Sequence, residues 1–166
     1  MFRTVAAVAA MLLLAACASL PNPLDAPTRQ SLFVKDVSVA WSFDDAKAAA
    51  KPEYVAYKED TQKRLKAAVA TAFATSPAGA DGVAFKINVK DFSCATTGCQ
   101  VKTDVAVVRV SDGKELGVYK DVMGIQAASG GGLLGVLIQA MVKPDVVGIM
   151  SNNYALVLHA RFDAKT

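Results

Sequence analysis

The sequence predicts an α+β domain: an antiparallel sheet of about four strands in the order β-α-β-β-β-α, with two helices packed on one face. Three observations predict this class. Alternating apolar and polar residues mark four strands, two stretches have helical spacing, and short turns join the last three strands. No internal repeat is visible. Residues 31–166 have the length of a single domain.

The first strand is predicted over residues 32–41, where Val37, Val39 and Trp41 share one face. A long helix is expected at about 52–75, because Pro52 suits a first helical turn. The apolar positions of this helix predict one buried stripe, made of Tyr54, Thr61, Leu65, Ala68, Val69, Ala72 and Phe73. Its opposite face is charged and is interpreted as a solvated surface.

Three further strands are predicted over residues 83–92, 100–110 and 115–125, joined as an antiparallel meander. A second helix is expected over 146–162 and should cover the sheet beside the first helix. Its predicted buried side consists of Val146, Ile149, Met150, Tyr154, Val157 and Leu158.

The start of the chain has the pattern of an export signal. A basic residue, Arg3, precedes an apolar run of small residues that ends at Ala16. The sequence Leu14-Ala15-Ala16-Cys17 resembles the lipobox of bacterial lipoproteins. This resemblance implies that residues 1–16 are removed and that Cys17 is acylated. A transmembrane anchor is disfavoured, because a spanning helix needs about 20 apolar residues.

Residues 17–30 are predicted to be the acylated cysteine and a Pro-rich tether without regular structure. A linker of this composition could hold residues 31–166 up to about 40 Å from the anchor. In the lipoprotein family, an aspartate after the cysteine favours the inner membrane. Ala18 and Ser19 follow Cys17 here, so the resemblance implies the outer membrane, with the domain facing the periplasm.

Cys94 and Cys99 are predicted to form a disulfide that closes the end of a hairpin, since a close pair in the envelope is expected to be oxidised. A zinc site is disfavoured, because it needs about four ligands and the chain has 1 histidine, His159. A redox pair is disfavoured because such motifs have about two residues between the cysteines. We expect no metal and no cofactor.

Residues 130–150 have two interpretations. One is a glycine hinge followed by a short core helix. The other is an apolar contact arm, residues 133–142, that binds lipid or a partner protein, since a segment apolar on all sides must be buried in something. The candidate contact residues of the arm are Leu133, Leu134, Val136, Leu137, Ile138 and Met141.

Other functions find little support. Gly130, Gly132 and Gly135 match a dinucleotide-binding pattern, but no acidic residue follows about 20 positions on. No serine lies in a Gly-x-Ser-x-Gly elbow, and adjacent Asp44 and Asp45 suit helix capping. We therefore expect no enzymatic activity. Without Arg3 the chain has 17 Lys and Arg against 15 Asp and Glu, which predicts no nucleic-acid binding.

Aromatic residues are grouped where the first strand meets the first helix. Trp41, Phe43, Tyr54 and Tyr57 could stack on a glycan or peptide, although such a group is more often part of a core and its rim.

The element order and the segment Val108–Gly117, together with the later glycine-rich stretch, resemble small periplasmic auxiliary lipoproteins of ABC-type transport. This resemblance implies a non-enzymatic accessory or assembly factor, anchored through Cys17, that binds an envelope protein. The alternative is a module that binds a lipid or another small ligand between the sheet and the helices.

Overall fold

The computed structural model describes residues 21–42, 52–74, 81–95, 98–127 and 145–164. Its elements are α1 (Ala26–Ser31), β1 (Leu32–Trp41), α2 (Pro52–Ala72), β2 (Asp81–Ala95), β3 (Gly98–Arg109), β4 (Glu115–Ala127) and α3 (Val146–Asp163). The predicted α+β class is confirmed, and so is the order of the four strands and two long helices.

The sheet is mixed, with the strand order β1-β2-β3-β4. The meander from β2 to β4 is antiparallel, as predicted. The prediction of a wholly antiparallel sheet is wrong at one pair, because β1 and β2 run parallel with Leu32 opposite Asp81. A hairpin reverses the chain, whereas α2 carries it back along the sheet to the end where β1 began.

The core lies between one face of the sheet and the two long helices. Alternate residues of β2 point into it and are almost fully buried: Val83, Phe85, Ile87 and Val89. The Phe85 ring lies 4.9 Å from that of Phe73 after α2 and 6.0 Å from that of Phe162 in α3. Burial of such side chains contributes about 1.5–3 kcal/mol each, and it holds both helices against the sheet.

The buried stripe predicted for α2 is confirmed at Thr61, Leu65 and Val69, which are fully buried. In α3, the prediction is confirmed at Met150, Tyr154 and Leu158. It is wrong at Ile149, which is 42% exposed, while Val147, Ser151, Ala155 and Phe162 are buried instead. This helix is apolar on several sides, so periodicity alone does not select the face that packs.

A glycine of β4 sets the distance between α3 and the sheet. A Cβ atom at Gly124 would lie 2.5 Å from the Cβ of Tyr154 and 3.0 Å from the backbone oxygen of Met150. The helix backbone therefore approaches β4 at a point where no other residue fits.

Residues 21–31, which we name the strap, are folded against the domain. Asp25 caps α1 by accepting a 2.8 Å hydrogen bond from the amide of Thr28, and Leu24 is buried. The prediction of an unstructured tether is therefore wrong for residues 21–30. Its spacing of prolines and polar residues fits a capped turn and a short helix equally well. Residues 1–20, including Cys17, lie outside the described residues.

The domain has two ends along the strand direction. The strap end contains the start of β1, the turn between β3 and β4, and the last turn of α3. The arm end contains the end of β1, the connection between β2 and β3, and the end of β4, where Gly98 pairs with Ala127. The chain leaves the described residues at Ala127 and returns at Asp145, so the contact arm is connected at this second end.

Candidate functional site

At the strap end, the side chain of Asn22 closes the C-terminus of α3. Its Nδ2 donates to the backbone oxygens of Arg161, Phe162 and Ala164 at 2.9, 3.1 and 3.2 Å. Its Oδ1 accepts from the hydroxyl of Tyr119 at 2.8 Å. The last carbonyls of a helix have no partner within the helix, so Asn22 supplies hydrogen bonds that α3 cannot make for itself.

Arg29 of α1 reinforces this cap. Its Nη1 donates to the backbone oxygen of Phe162 at 2.7 Å and also to that of Ala164. The side chain is 8% exposed. A guanidinium at this position complements the negative end of the helix dipole. The strap is thus attached to α3 by two side chains as well as by the buried Leu24.

Tyr119 of β4 links the strap, the sheet and α3. The side chain is 1% exposed, and burial raises the pKa of its phenol to about 12. The guanidinium of Arg161 lies 5.9 Å from the centre of its ring, and Arg161 donates to the backbone oxygen of Lys120 at 2.7 Å. This end of the molecule is held by polar contacts from four separate segments.

At the arm end, a disulfide joins Cys94 of β2 to Cys99 of β3. The two residues are direct partners in the antiparallel register, with their Cα atoms 4.1 Å apart. Within the described ranges, no group of three or more His, Cys, Asp and Glu could hold a metal ion. The bond fixes the two strands beside the point where β4 leads into the arm.

The return of the arm is fixed by Asp145. Its Oδ1 accepts from the amide of Gly148 at 3.0 Å, which caps α3. Its other carboxylate oxygen accepts from Arg64 of α2, which also forms a 2.7 Å ion pair with Asp60. The predicted pairing of Asp60 with Arg64 is confirmed, and it places α2 next to the start of α3. The arm residues 133–142 and the glycines 130, 132 and 135 lie outside the described residues.

A groove of 470 Å³ lies between α2 and α3 and begins at Asp145. The hydroxyl of Ser151 is buried there, and it has no hydrogen-bond partner within the described residues. Leu156 borders the groove and is 66% exposed. The remaining lining is mostly small: Ala67, Ala68, Thr71, Ala72, Gly148, Asn152 and Ala155.

The remaining candidates divide between the core and the undescribed residues. Trp41 packs on Phe92 with ring centres 5.4 Å apart, and Lys58 lies 5.9 Å from its ring. Phe43, Asp44, Asp45 and the side chains of Tyr54 and Tyr57 lie outside the described part. His159 forms a 3.0 Å contact with Asp163 and packs on Phe73, as a structural residue would.

Sequence reasoning missed a charged cluster on the open face of the sheet. Lys90 lies 2.8 Å from Asp104 and 2.9 Å from Asp121, and Lys102 lies 3.1 Å from Asp121. Hydrogen bonds from Lys90 and Lys102 lower the pKa of the Asp121 carboxyl. The polar positions of the alternating strands are the signal that could have located it. These charges neutralise one another, so the cluster supports the sheet and offers no single-sign surface.

No family model and no curated protein matches the sequence. Solved structures with a similar fold include a PelC dodecamer from Paraburkholderia phytofirmans, at 11% identity and a TM-score of 0.39, with 82% of this chain and 88% of that chain covered. Another is a candidate lipoprotein from Caulobacter crescentus, at 10% identity and a TM-score of 0.36, with 81% and 90% covered. Similarity this low identifies no family.

None of the helices in the described ranges is long and apolar enough to cross a membrane.

Proposed function

We propose that this protein is a lipoprotein of the bacterial envelope, anchored through Cys17 to the outer membrane, and that it acts as a non-enzymatic accessory factor. In this proposal the arm, residues 133–142, binds an envelope protein. The anchor is proposed from the sequence Leu14-Ala15-Ala16-Cys17. The disulfide between Cys94 and Cys99 supports an oxidising compartment.

The observation that carries the proposal is the position of the arm's two junctions. Ala127 and Asp145 lie at the arm end, whereas Asn22, which follows the anchor, lies at the strap end. The chain that follows the anchor and the arm thus join the domain at opposite ends. An arm connected in this way is directed away from the membrane to which Cys17 would be attached.

The packing of the domain favours an external contact for the arm. The space between the sheet and the long helices is filled by side chains that are almost fully buried, among them Phe85, Val105 and Leu158. An apolar segment such as Leu133–Val142 loses free energy when it is exposed to water. We infer that a partner protein covers it.

Photo-crosslinking in intact cells tests this proposal. A photoreactive amino acid replaces Leu137 in the arm, and a matched control replaces Lys63, which is exposed on α2. We expect a single protein adduct from position 137 and none from position 63. Equal adducts at both positions, or none at position 137, would contradict the proposal.

A second candidate function is the binding of a small ligand, and the groove between α2 and α3 favours it. A volume of 470 Å³ is within the range of small-molecule sites, and the buried hydroxyl of Ser151 could receive a hydrogen bond. This places the ligand between the helices and not between the sheet and the helices. A small molecule that copurifies with the protein and is lost in Ser151→Val would support it. Unchanged binding in that variant would contradict it.

A further inference from the structure

The strap limits how far the domain can lie from its anchor. Asn22 is bonded to the last turn of α3, and Leu24 is buried against the domain. Only residues 18–20 separate Cys17 from Pro21, where the described chain begins. A chain extends at most about 3.6 Å per residue, so Cys17 and Pro21 cannot be more than about 14 Å apart.

This limit is much shorter than the one that composition predicts. A tether running to residue 30 would reach about 40 Å. The polar layer of a bilayer is itself roughly 5–7 Å thick on each side. If acyl chains on Cys17 are inserted in the membrane, most of the 14 Å is used within or just above the lipid headgroups.

We propose that the strap end of the domain rests against the headgroups of the membrane that holds Cys17. This inference rests on the acylation of Cys17 in the proposed function. It adds which surface meets the bilayer and how closely. The occupant of this surface is a phospholipid bilayer, because the length of chain outside the described residues and the position where it ends allow little separation.

The surface at the strap end fits contact with headgroups. Near Asn22 it exposes Pro21, Pro23 and Lys120, and the turn between β3 and β4 exposes Val110 and Lys114. Contact between the strap and β4 at Gly117 places this turn beside the strap. Proline and valine present short apolar surfaces to the headgroups.

The charges of this surface are balanced. Lys114, Lys120 and Arg161 are offset by Asp112, Glu115 and Asp163. A surface without net charge has little attraction for anionic lipids. We therefore expect the acyl chains to supply the affinity and the short connection to supply the orientation, so that the seating changes little with salt.

The arm end then lies away from the bilayer. α3 contains 18 residues, which corresponds to about 27 Å at 1.5 Å per residue. Gln100 near the disulfide and Arg109 beside the turn are separated by about 30 Å along β3. The seating would present the arm to the periplasm at roughly this height.

Fluorescence quenching by the membrane tests the seating. The full-length acylated protein is reconstituted into vesicles of phosphatidylethanolamine and phosphatidylglycerol that contain a nitroxide-headgroup lipid. A fluorescent amino acid replaces Lys114 at the strap end or, as a control, Gln100 at the arm end. We expect strong quenching at position 114, little at position 100, and the same ratio at high salt.

Two further samples make the result decisive. Insertion of a Gly-Ser spacer of about 12 residues after Ser19 should abolish the difference between the two positions, since the domain is then free to move away. Cys17→Ser should prevent flotation with the vesicles. Flotation without quenching at position 114, or equal quenching at both positions, overturns the seating alone. A wild-type protein that does not float overturns the acylation and the seating together.

Discussion

The strap end and the arm end of this domain are closed by different physical means. At the strap end, Asn22 and Arg29 bond to carbonyls that lie 133 to 142 positions further along the chain. At the arm end, a covalent bond joins two cysteines only 5 positions apart, and Asp145 caps the adjacent helix. The first closure depends on the whole fold, whereas the second is local. Mutations should therefore affect them differently.

The largest effect is expected where α3 meets the sheet between the two ends. Gly124→Ala would force the backbone of α3 away from β4, because the new Cβ atom would lie 2.5 Å from the Cβ of Tyr154. We expect a loss of about 3 kcal/mol in the free energy of unfolding, measured with urea.

Gly117→Ala is the matched control at the strap end. There the added Cβ atom would lie 3.1 Å from side-chain atoms of Leu24 and Pro23, and the strap can shift slightly. A loss below about 1 kcal/mol is expected. Equal losses at the two glycines would mean that the strap is as rigid as α3.

Removal of the strap's main hydrogen bonds should have the next largest effect. Asn22→Ala leaves carbonyls at the end of α3 and the hydroxyl of Tyr119 without that partner. We expect a loss of about 2–3 kcal/mol, together with faster amide exchange in residues 24–31. Gln30→Ala, an exposed position of α1, is the control and should change neither quantity. Unchanged exchange in Asn22→Ala would show that the strap is held by Leu24 alone.

Loss of the disulfide should have a somewhat smaller effect that is confined to the arm end. The double substitution of Cys94→Ser and Cys99→Ser opens a short loop, and chain entropy predicts a loss of about 2 kcal/mol. Amide exchange should increase around Ser93 and Gln100 and stay unchanged in the strap. Exchange that increases at both ends would contradict the separation of the two closures.

Alkaline pH should weaken the strap end through Tyr119. Its pKa rises from 10.0 to about 12 on folding, so its contribution is complete below pH 10 and is lost as the pH rises toward 12. At pH 11 the loss from this group is about 1 kcal/mol. Tyr119→Phe should lose less stability than the wild type between pH 9 and pH 11, as measured by urea unfolding. Tyr154 is unchanged in both proteins, so equal losses would exclude a role for Tyr119.

The smallest effect on stability is expected in the arm. Leu137→Asp should change the free energy of unfolding by less than about 0.5 kcal/mol, while it abolishes the protein adduct formed from a probe at the neighbouring position 138. Leu158→Asp, in the filled core, is the contrasting variant and should unfold the domain. If Leu137→Asp unfolds the domain as well, the arm is part of the core.

The same contrast explains what could be predicted from the sequence. The pairing of Cys94 with Cys99 and the strands on either side of them depend on neighbours in the chain, and their patterns are visible in the sequence. The cap formed by Asn22 joins positions that are 139 residues apart, and a lone asparagine between two prolines carries no sign of its partner. The parallel pairing of β1 was missed for a related reason, since strand alternation specifies a face and not a direction.

The buried face of α3 shows a second limit. Ile149 and Leu156 are as apolar as the buried Val147 and Leu158, yet they are exposed. Close approach at Gly124 decides which side packs, and that contact involves two elements distant in sequence. The identities of the proposed contact residues came from composition alone, because residues 133–142 lie outside the described residues.

The cap on α3 also imposes an order of events on the newborn protein. The strap belongs to the first part of the chain to be synthesised, whereas the carbonyls that it binds, from Arg161 to Ala164, are among the last. Strap docking must therefore wait until nearly all of the polypeptide is present, and it closes a loop of 139 residues at an entropic cost. Until that moment the domain can diffuse on a longer leash, and the final folding step is the one that draws it down to its anchor.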